Sequence, residues 1–296
     1  MSQSNLAEQL SQGENKLAKH AVNIHKFGGS SLATTACIER VVNIIRQNCQ
    51  LNDVIVVSAS GKTTDSLFAL LHMSNQPNDQ FEQALLDLHE QQKELINSLL
   101  KSTHAQRLLQ LLAQDIEQFN VWSSQLSNHQ SDILAFGELW SARLLSAVLT
   151  SYVCPSYYLD ARDFLQIDNE FDCLVEQSTS IAQYRLLQQT HKLAVVTGYI
   201  AKDKTGSTCT LGRNGSDYSA TIMSLLTQAN NVTLWTDVDG IYSADPRLVP
   251  NARKLHRLPN EVAKELGRLG NPVLHANTLK PLAEQHTHLH IASSFV

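Results

Sequence analysis

The feature that most constrains this chain is an alternation. Short apolar runs rich in β-branched residues give way repeatedly to segments whose apolar residues recur at helical spacing. Val22 to Phe27 (VNIHKF) and Asp53 to Ser58 (DVIVVS) read as strands, the second apolar enough to be buried on both faces. Between them, Cys37 to Gln47 (CIERVVNIIRQ) has the pattern of an amphipathic helix. From about Thr64 to Ser127 the text changes to Leu, Gln, Glu and His at period 3.6, interrupted only by Pro77, so two or more long helices are expected over the sheet or as a lid. Residues 131–150 read as another helix, with Ser131 or Asp132 as its N-cap. Tyr157 to Leu159, Leu193 to Thr197 and Val232 to Trp235 are further short strands, and LHIASSFV at the end reads as a strand cut short, as in a fragment of a longer protein. The second half is denser in turns, at Gly198, Gly206, Gly212, Gly215, Asp239-Gly240, Pro246, Pro250 and Pro259. Such alternation specifies an α/β fold with a largely parallel central sheet sandwiched by helices.

Composition narrows the class. The 296 residues, 43% hydrophobic and 17% charged, suffice for one large domain or two close-packed lobes and exclude an extended disordered chain. A net charge of -5 and a pI near 6.2 argue against an electrostatic nucleic-acid binder. The longest purely apolar runs are a handful of residues, such as Val54 to Val57, so no membrane segment is expected where a span takes about 20. Residues 1–20 lack an apolar core and read as a polar, disordered leader rather than a secretory signal. The cysteines, at 37, 49, 154, 173 and 209, are odd in number and lack CxxC spacing, which indicates neither a disulfide framework nor a zinc site and makes a reducing cytoplasm the default.

Four segments have the makings of a site. Lys26-Phe27-Gly28-Gly29-Ser30-Ser31 lies between a strand and a helix, where glycines let backbone N–H groups approach an anion and Lys26 adds a full charge. A Gly-Gly turn into a helix is also common without function. Ser58 to Asp65 (SASGKTTD) ends like a P-loop, but the required first glycine is Val56, so a Walker motif is excluded and a small polar ligand at a strand's carboxyl end is expected instead. Thr208 to Ala220 joins a glycine-rich turn to a helix start, with Arg213 and Asp217 four residues apart and able to face one pocket; the plainer reading is an N-cap with a surface ion pair. Trp235 to Arg247 packs Asp237, Asp239, Asp245, Tyr242 and Arg247 into a loop whose D-x-D-G is either an ordinary turn or a site, and no calcium-loop ligands follow.

Together KFGGSS at 26–31, VVSASGKTTD at 56–65, FGELWSARL at 136–144, TLGRNGSDYSA at 210–220, WTDVDGIYSADPR at 235–247 and VLHANTL at 273–279 resemble an aspartate kinase of the amino-acid kinase family. The resemblance covers about residues 21–296, and GRNGSD together with Pro272 before VLHA is most similar to the kinase half of type II bifunctional aspartokinase–homoserine dehydrogenases. It implies an amino-acid kinase fold, with an aspartate-binding lobe to about residue 200, an ATP-binding lobe beyond it, and no ACT or dehydrogenase domain in this chain. The implied reaction transfers the γ-phosphoryl of ATP to the side chain of L-aspartate, the first step toward lysine, threonine and methionine. Magnesium accompanies ATP, a homodimer is expected, and a homoserine dehydrogenase is expected to follow in the full-length protein. By the resemblance Lys26 and the amides of Gly28, Gly29 and Ser30 hold the phosphates, and Asp217 orients Lys26. Ser58, Ala59, Thr64, Tyr199 and Ser216 line the acceptor, Arg213 grips its α-carboxylate and Glu138 its α-ammonium. Thr236, Asp237, Tyr242, Arg247, Pro272 and Val273 hold the nucleotide.

One departure stands out: many aspartate kinases carry Lys before VLHP, where this chain has Pro272, and their Pro is here Ala276, so one cation is missing. His275 in an apolar stretch reads as a packed, hydrogen-bonded histidine, and the alternation of His286, His288 and His290 as a surface strand rather than a metal site. Two rival readings are a catalytically silent kinase-like domain, against which the joint presence of Lys26, Glu138, Arg213 and Asp217 speaks, and a sister kinase acting on glutamate, N-acetylglutamate or a nucleotide monophosphate.

Overall fold

The computed structural model describes residues 22–73, 78–101, 103–122, 125–168, 172–174, 178, 186, 191–244, 248–269, 271, 273–284 and 286–295. The leader at 1–20, Pro77, Asp245, Pro246, Arg247 and Pro272 lie outside these residues.

The alternation produces one six-stranded sheet in the order β3-β4-β2-β1-β7-β8. Its strands are β1 (Asn23–Phe27), β2 (Val54–Val57), β3 (Ser156–Leu159), β4 (Leu193–Thr197), β7 (Asn231–Thr236) and β8 (His288–Ser293). Every pairing within it is parallel. A separate antiparallel pair, β5 (Ile200–Lys202) and β6 (Thr208–Thr210), folds back after β4. From β1 the chain moves to β2, crosses to the edge strand β3, returns to β4 between β3 and β2, and then passes to the other side of β1 with β7 and β8. The carboxyl ends of β1, β2, β4 and β7 therefore meet where the strand order reverses, which is where open α/β sheets bind ligands.

The pleat divides the core. Phe27, Ile55 and Val57 join one cluster, Ile24, Val54 and Val56 the opposite one. Helices α1 (Thr35–Asn48), α2 (Thr63–Met73), α3 (Asn78–Leu99), α4 (Thr103–Trp122) and α5 (Gln130–Tyr152) supply most of the first cluster, while α6 (Gly215–Thr227), α7 (Asn260–Arg268) and α8 (Ala276–Leu279) supply helical residues of the second. The block expected as two or more long helices is thus three, α2 to α4.

Two expectations need correction. Neither Ser131 nor Asp132 caps α5: the residue before the helix is His129, which makes no side-chain cap bond, because the 3₁₀ turn Leu126–His129 runs directly into the helix. Contiguous apolar runs also understated α5, since Leu126–Tyr152 is long and apolar enough to cross a membrane by length and composition, although its most apolar stretch is mostly buried inside the fold. Its apolarity reflects burial at the centre of the protein.

Candidate active site

The carboxyl ends of the central strands are stitched to one another. Ser58 N donates to Phe27 O (3.1 Å), Gly198 N to Val57 O (2.8 Å) and Gly61 N to Gly29 O (2.9 Å), so the loops after β1, β2 and β4 form one surface. Glycine is required at its seams: a Cβ on Gly29 would stand 2.8 Å from Ala59 O, and one on Gly198 would stand 2.7 Å from Ser216 Cβ and 2.9 Å from Val57 O. Gly28 and Gly29 carry the chain from β1 into the 3₁₀ turn Gly29–Leu32, with Ser30 exposed at its top and Ser31 buried beneath.

Lys26 leaves β1 toward this turn, its ammonium lying 3.3 Å from where a Gly28 side chain would begin. Lys26 Nζ pairs with Asp217 Oδ1 at 2.6 Å, with side chains 11% and 17% exposed. Partial burial makes this pair more than a surface contact, since removing either partner strands a charge of low solvation. The four-residue spacing of Arg213 and Asp217 does not produce the surface ion pair considered above: Asp217 turns inward to Lys26, and Arg213 stands exposed in the β6–α6 loop with no ion pair among the described residues. Nor does a side chain cap α6, whose preceding residue Asn214 takes a left-handed φ of 57°.

The loop after β2 faces the first turn of α2, with Ser58 and Thr64 partly exposed and Ala59 buried. Against it lies the middle of α5, where Gly137 admits the close approach of Ala59. Glu138 is 2% exposed and accepts from Ala59 N through Oε1 at 3.2 Å, and its buried Oε2 has no hydrogen-bond partner among the described residues. Burial raises its pKa to about 8, partly opposed by the backbone bonds, so without a partner Glu138 is mainly the neutral acid at pH 7. A buried carboxyl oxygen lacking a partner is costly, and a cation brought to it would return the group to its charged form.

Tyr199 closes the acceptor side. Its φ of 64° is rare for a non-glycine residue and is fixed from both ends: its N donates to Ser219 Oγ at 2.9 Å and its carbonyl accepts from Leu211 N at 2.7 Å. Its ring sits against Gly215, where a Cβ would fall 2.7 Å from Cδ2. Burial raises its hydroxyl pKa, the Glu138 charge adds to this, and a hydrogen bond with Thr210 opposes it. Ser216, 8% exposed, packs under Gly198.

Beyond β7 the side-chain bonds lie at or near the surface. Thr236 Oγ1 donates to Asp237 Oδ1 at 3.0 Å and Tyr242 OH to Asp239 Oδ1 at 2.9 Å. Lys254 Nζ reaches the other oxygen of Asp239 at 3.1 Å, so the D-x-D-G turn is held by a cation that the local motif did not indicate. Val273 N donates to Asn271 Oδ1 at 2.9 Å just before α8. His275 accepts from Asn277 N through Nδ1 at 3.4 Å and caps α8, as a packed histidine would. His288 and His290 are exposed on β8.

One group of possible metal ligands occurs among the described residues, His25, Cys49 and Asp53, within 4.8 Å of one another. Trp235 Nε1 donates to His25 Nδ1 at 3.3 Å, which leaves the ring proton on Nε2, 3.7 Å from Asp53 Oδ2. Asp53 meanwhile accepts from the backbone N–H of Asn23 and Gln50 at 2.9 and 2.8 Å. Burial, then the Asp53 charge, pushes the Cys49 thiol far up and keeps it protonated. The group ties β1, β2 and α1 together.

A lysine–glycine cradle on β1, a buried carboxyl in the long core helix and an acidic loop after β7, all at one sheet edge, invite comparison with known proteins. Bifunctional aspartokinase/homoserine dehydrogenase 2 of Escherichia coli is 40% identical over 276 residues, covering 92% of this chain and 34% of that protein. The chain thus spans about a third of that curated relative. Solved structures of E. coli aspartokinase III match with a TM-score of 0.81 at 25% identity in its complex with lysine and aspartate, and 0.77 at 28% identity in its complex with aspartate and ADP. Each match covers 92% of this chain and 62% of the other. Residues 21–293 match the amino acid kinase family along nearly the whole described fold, and the chain belongs to that family.

Proposed function

We propose that this chain is an aspartate kinase, transferring the γ-phosphoryl of ATP to the side-chain carboxylate of L-aspartate and releasing ADP and 4-phospho-L-aspartate. The observation that carries the reading is the pairing of two unlike subsites at one strand edge: Lys26, held by Asp217 over the Gly28-Gly29 turn, and the buried, half-satisfied carboxyl of Glu138. The first suits a transferring phosphoryl group, and the second suits an ammonium. The relatives and structures named above support the same assignment.

The acceptor carboxylate has a reference pKa near ~3.9 and is ionised at pH 7, so it attacks without a general base. One of its oxygens forms a bond to the γ-phosphorus as the bond from that phosphorus to the β–γ bridging oxygen breaks, leaving both electrons on ADP. The protein's task is positioning and charge compensation. Lys26 Nζ and the amides of Gly28, Gly29 and Ser30 face the phosphates. Glu138 takes the α-ammonium through Oε2, Arg213 takes the α-carboxylate with its planar fork, and Ser58, Ala59, Thr64, Tyr199 and Ser216 wall the side chain. Thr236, Asp237, Tyr242, Arg247 and the segment at Pro272 and Val273 take the nucleotide. A magnesium ion fits beside Asp217, whose carboxylate keeps 17% of its side chain open to solvent, and when bound with ATP it would offset phosphate charge. The enzyme is placed in the cytoplasm as a homodimer, joined to a homoserine dehydrogenase in its full length, with the aspartate lobe before about residue 200 and the nucleotide lobe after it. All five cysteines are free thiols, which suits that compartment.

The test is a hydroxylamine trap of the acyl phosphate with MgATP and each acceptor in turn. Hydroxamate with L-aspartate, at a rate matching ADP release, is expected. Product only with glutamate, N-acetylglutamate or a nucleotide monophosphate would replace the reading by a sister kinase, and no product with any acceptor would favour a silent domain.

A further inference from the structure

We infer that Ser294 is a positioning residue that couples the phosphate turn to the nucleotide end of β7, an inference that rests on the phosphotransfer reading above. Ser294 follows the last residue of β8, far from every motif that marks the site, and is 2% exposed. Its Oγ lies 2.7 Å from the Oγ of Ser31, itself 2% exposed and part of the 3₁₀ turn that begins at Gly29. On its other side Ser294 N donates to Thr236 O at 2.8 Å, and its hydroxyl stands 3.2 Å from the same carbonyl.

The proton directions follow from what is available. If Ser294 donated to Ser31, the buried Ser31 hydroxyl would have no acceptor of its own among the described contacts. If Ser31 donates to Ser294 and Ser294 donates to Thr236 O, each hydroxyl donates once and each buried oxygen is satisfied. The result is a relay from the turn that faces the phosphates to the last residue of β7, where the Thr236-Asp237 loop begins. Phe295 continues the attachment, with the Arg40 guanidinium 4.8 Å from its ring centroid, so α1 is tied to the same terminus. The two halves of the nucleotide site come from residues more than two hundred positions apart, and the Ser294 side chain touches both, beside the stacking of Trp235 on Phe27.

The pair is tested by Ser294→Ala, Ser31→Ala and the double variant, with steady-state KM measured separately for ATP and aspartate and with ADP affinity measured by calorimetry. Loss of one buried neutral hydrogen bond is expected to weaken ADP and raise KM for ATP about fivefold, leave KM for aspartate within about twofold, and make the double variant no worse than either single one. Unchanged ADP affinity in Ser294→Ala would overturn the inference. So would equal rises in both KM values, since a purely structural loss has no reason to favour one substrate, and so would fully additive effects. Calorimetry separates this inference from the functional reading: weakened ADP binding in the variants, with no aspartate turnover by the unaltered protein, would keep the relay and remove the aspartate assignment.

Discussion

On the acceptor side of the cleft, Glu138 is 2% exposed and the seams at Gly29, Gly137 and Gly198 leave no room for even a methyl group. On the nucleotide side Asp237 is exposed, and the side-chain bonds that shape its loop join exposed or half-exposed groups, Thr236 to Asp237 and both Tyr242 and Lys254 to Asp239. Under the proposed function the contrast follows from what each side recognises. A small amino acid offers few atoms, so selectivity must come from a desolvated pocket of fixed shape with unsatisfied charge. A nucleotide brings its own charge, its cation and a large ring, and a loop held by solvent-facing bonds suffices to receive it. Lys26 lies between the two, on the strand that pairs with β2 on one side and β7 on the other, and forms a partly buried pair with Asp217.

Substitutions that break this contrast should differ in size accordingly. The largest effect is expected at the junction: Lys26→Ala and Asp217→Ala should each lower kcat by about 10²-fold or more in a folded protein, because both act where transition-state charge gathers. Circular dichroism together with kcat checks this, and an unchanged kcat in folded Lys26→Ala would remove the assignment. Next, Arg213→Ala should raise KM for aspartate at a cost of roughly 2–4 kcal/mol, the loss of a charged bidentate contact, with KM for ATP nearly constant. A shift in ATP alone would mean that the two sides have been assigned the wrong way round.

Glu138 sharpens the comparison through pH. Its folded pKa, raised by burial to about 8, lies above the unfolded value of 4.5. The folded protein therefore holds a proton that the unfolded chain has lost, and this contribution to stability is complete below about 4.5 and is lost as pH rises through about 8. Aspartate binding requires the charged form, so affinity for aspartate should improve as pH rises toward about 8, while affinity for ATP stays flat. Glu138→Gln should abolish that slope; a slope that survives the substitution would place the titrating group elsewhere. The smallest effect is expected at Tyr242→Phe, which removes one solvent-facing bond to Asp239 and should change KM for ATP by about threefold or less.

Strands β1, β2, β4 and β7 were legible in the sequence because each is a short apolar run bounded by turn residues, and the motifs at 26–31, 56–65 and 235–247 were legible because they continue directly from such strands. The sheet order was not, since nothing local in Val232 to Trp235 says that it pairs with β1 across two hundred residues. The β5–β6 pair was missed because Ile200–Lys202 and Thr208–Thr210 are only three residues each. Arg213 and Asp217 show the limit of spacing arguments: four residues apart, they diverge because the helix begins between them. Ser294 and Lys254 carry no motif, and their roles exist only through partners brought near by the fold.

The buried carboxyl of Glu138 is expected to select an acceptor with a free α-ammonium. The most direct measurement compares kcat/KM for L-aspartate and N-acetyl-L-aspartate, which share the reacting carboxylate and differ at that one group. A preference for L-aspartate of about 10²-fold or more is expected, as for loss of a buried charge partner, and it should shrink in Glu138→Gln. Equal kcat/KM for the two acceptors in the unaltered protein would contradict the claim.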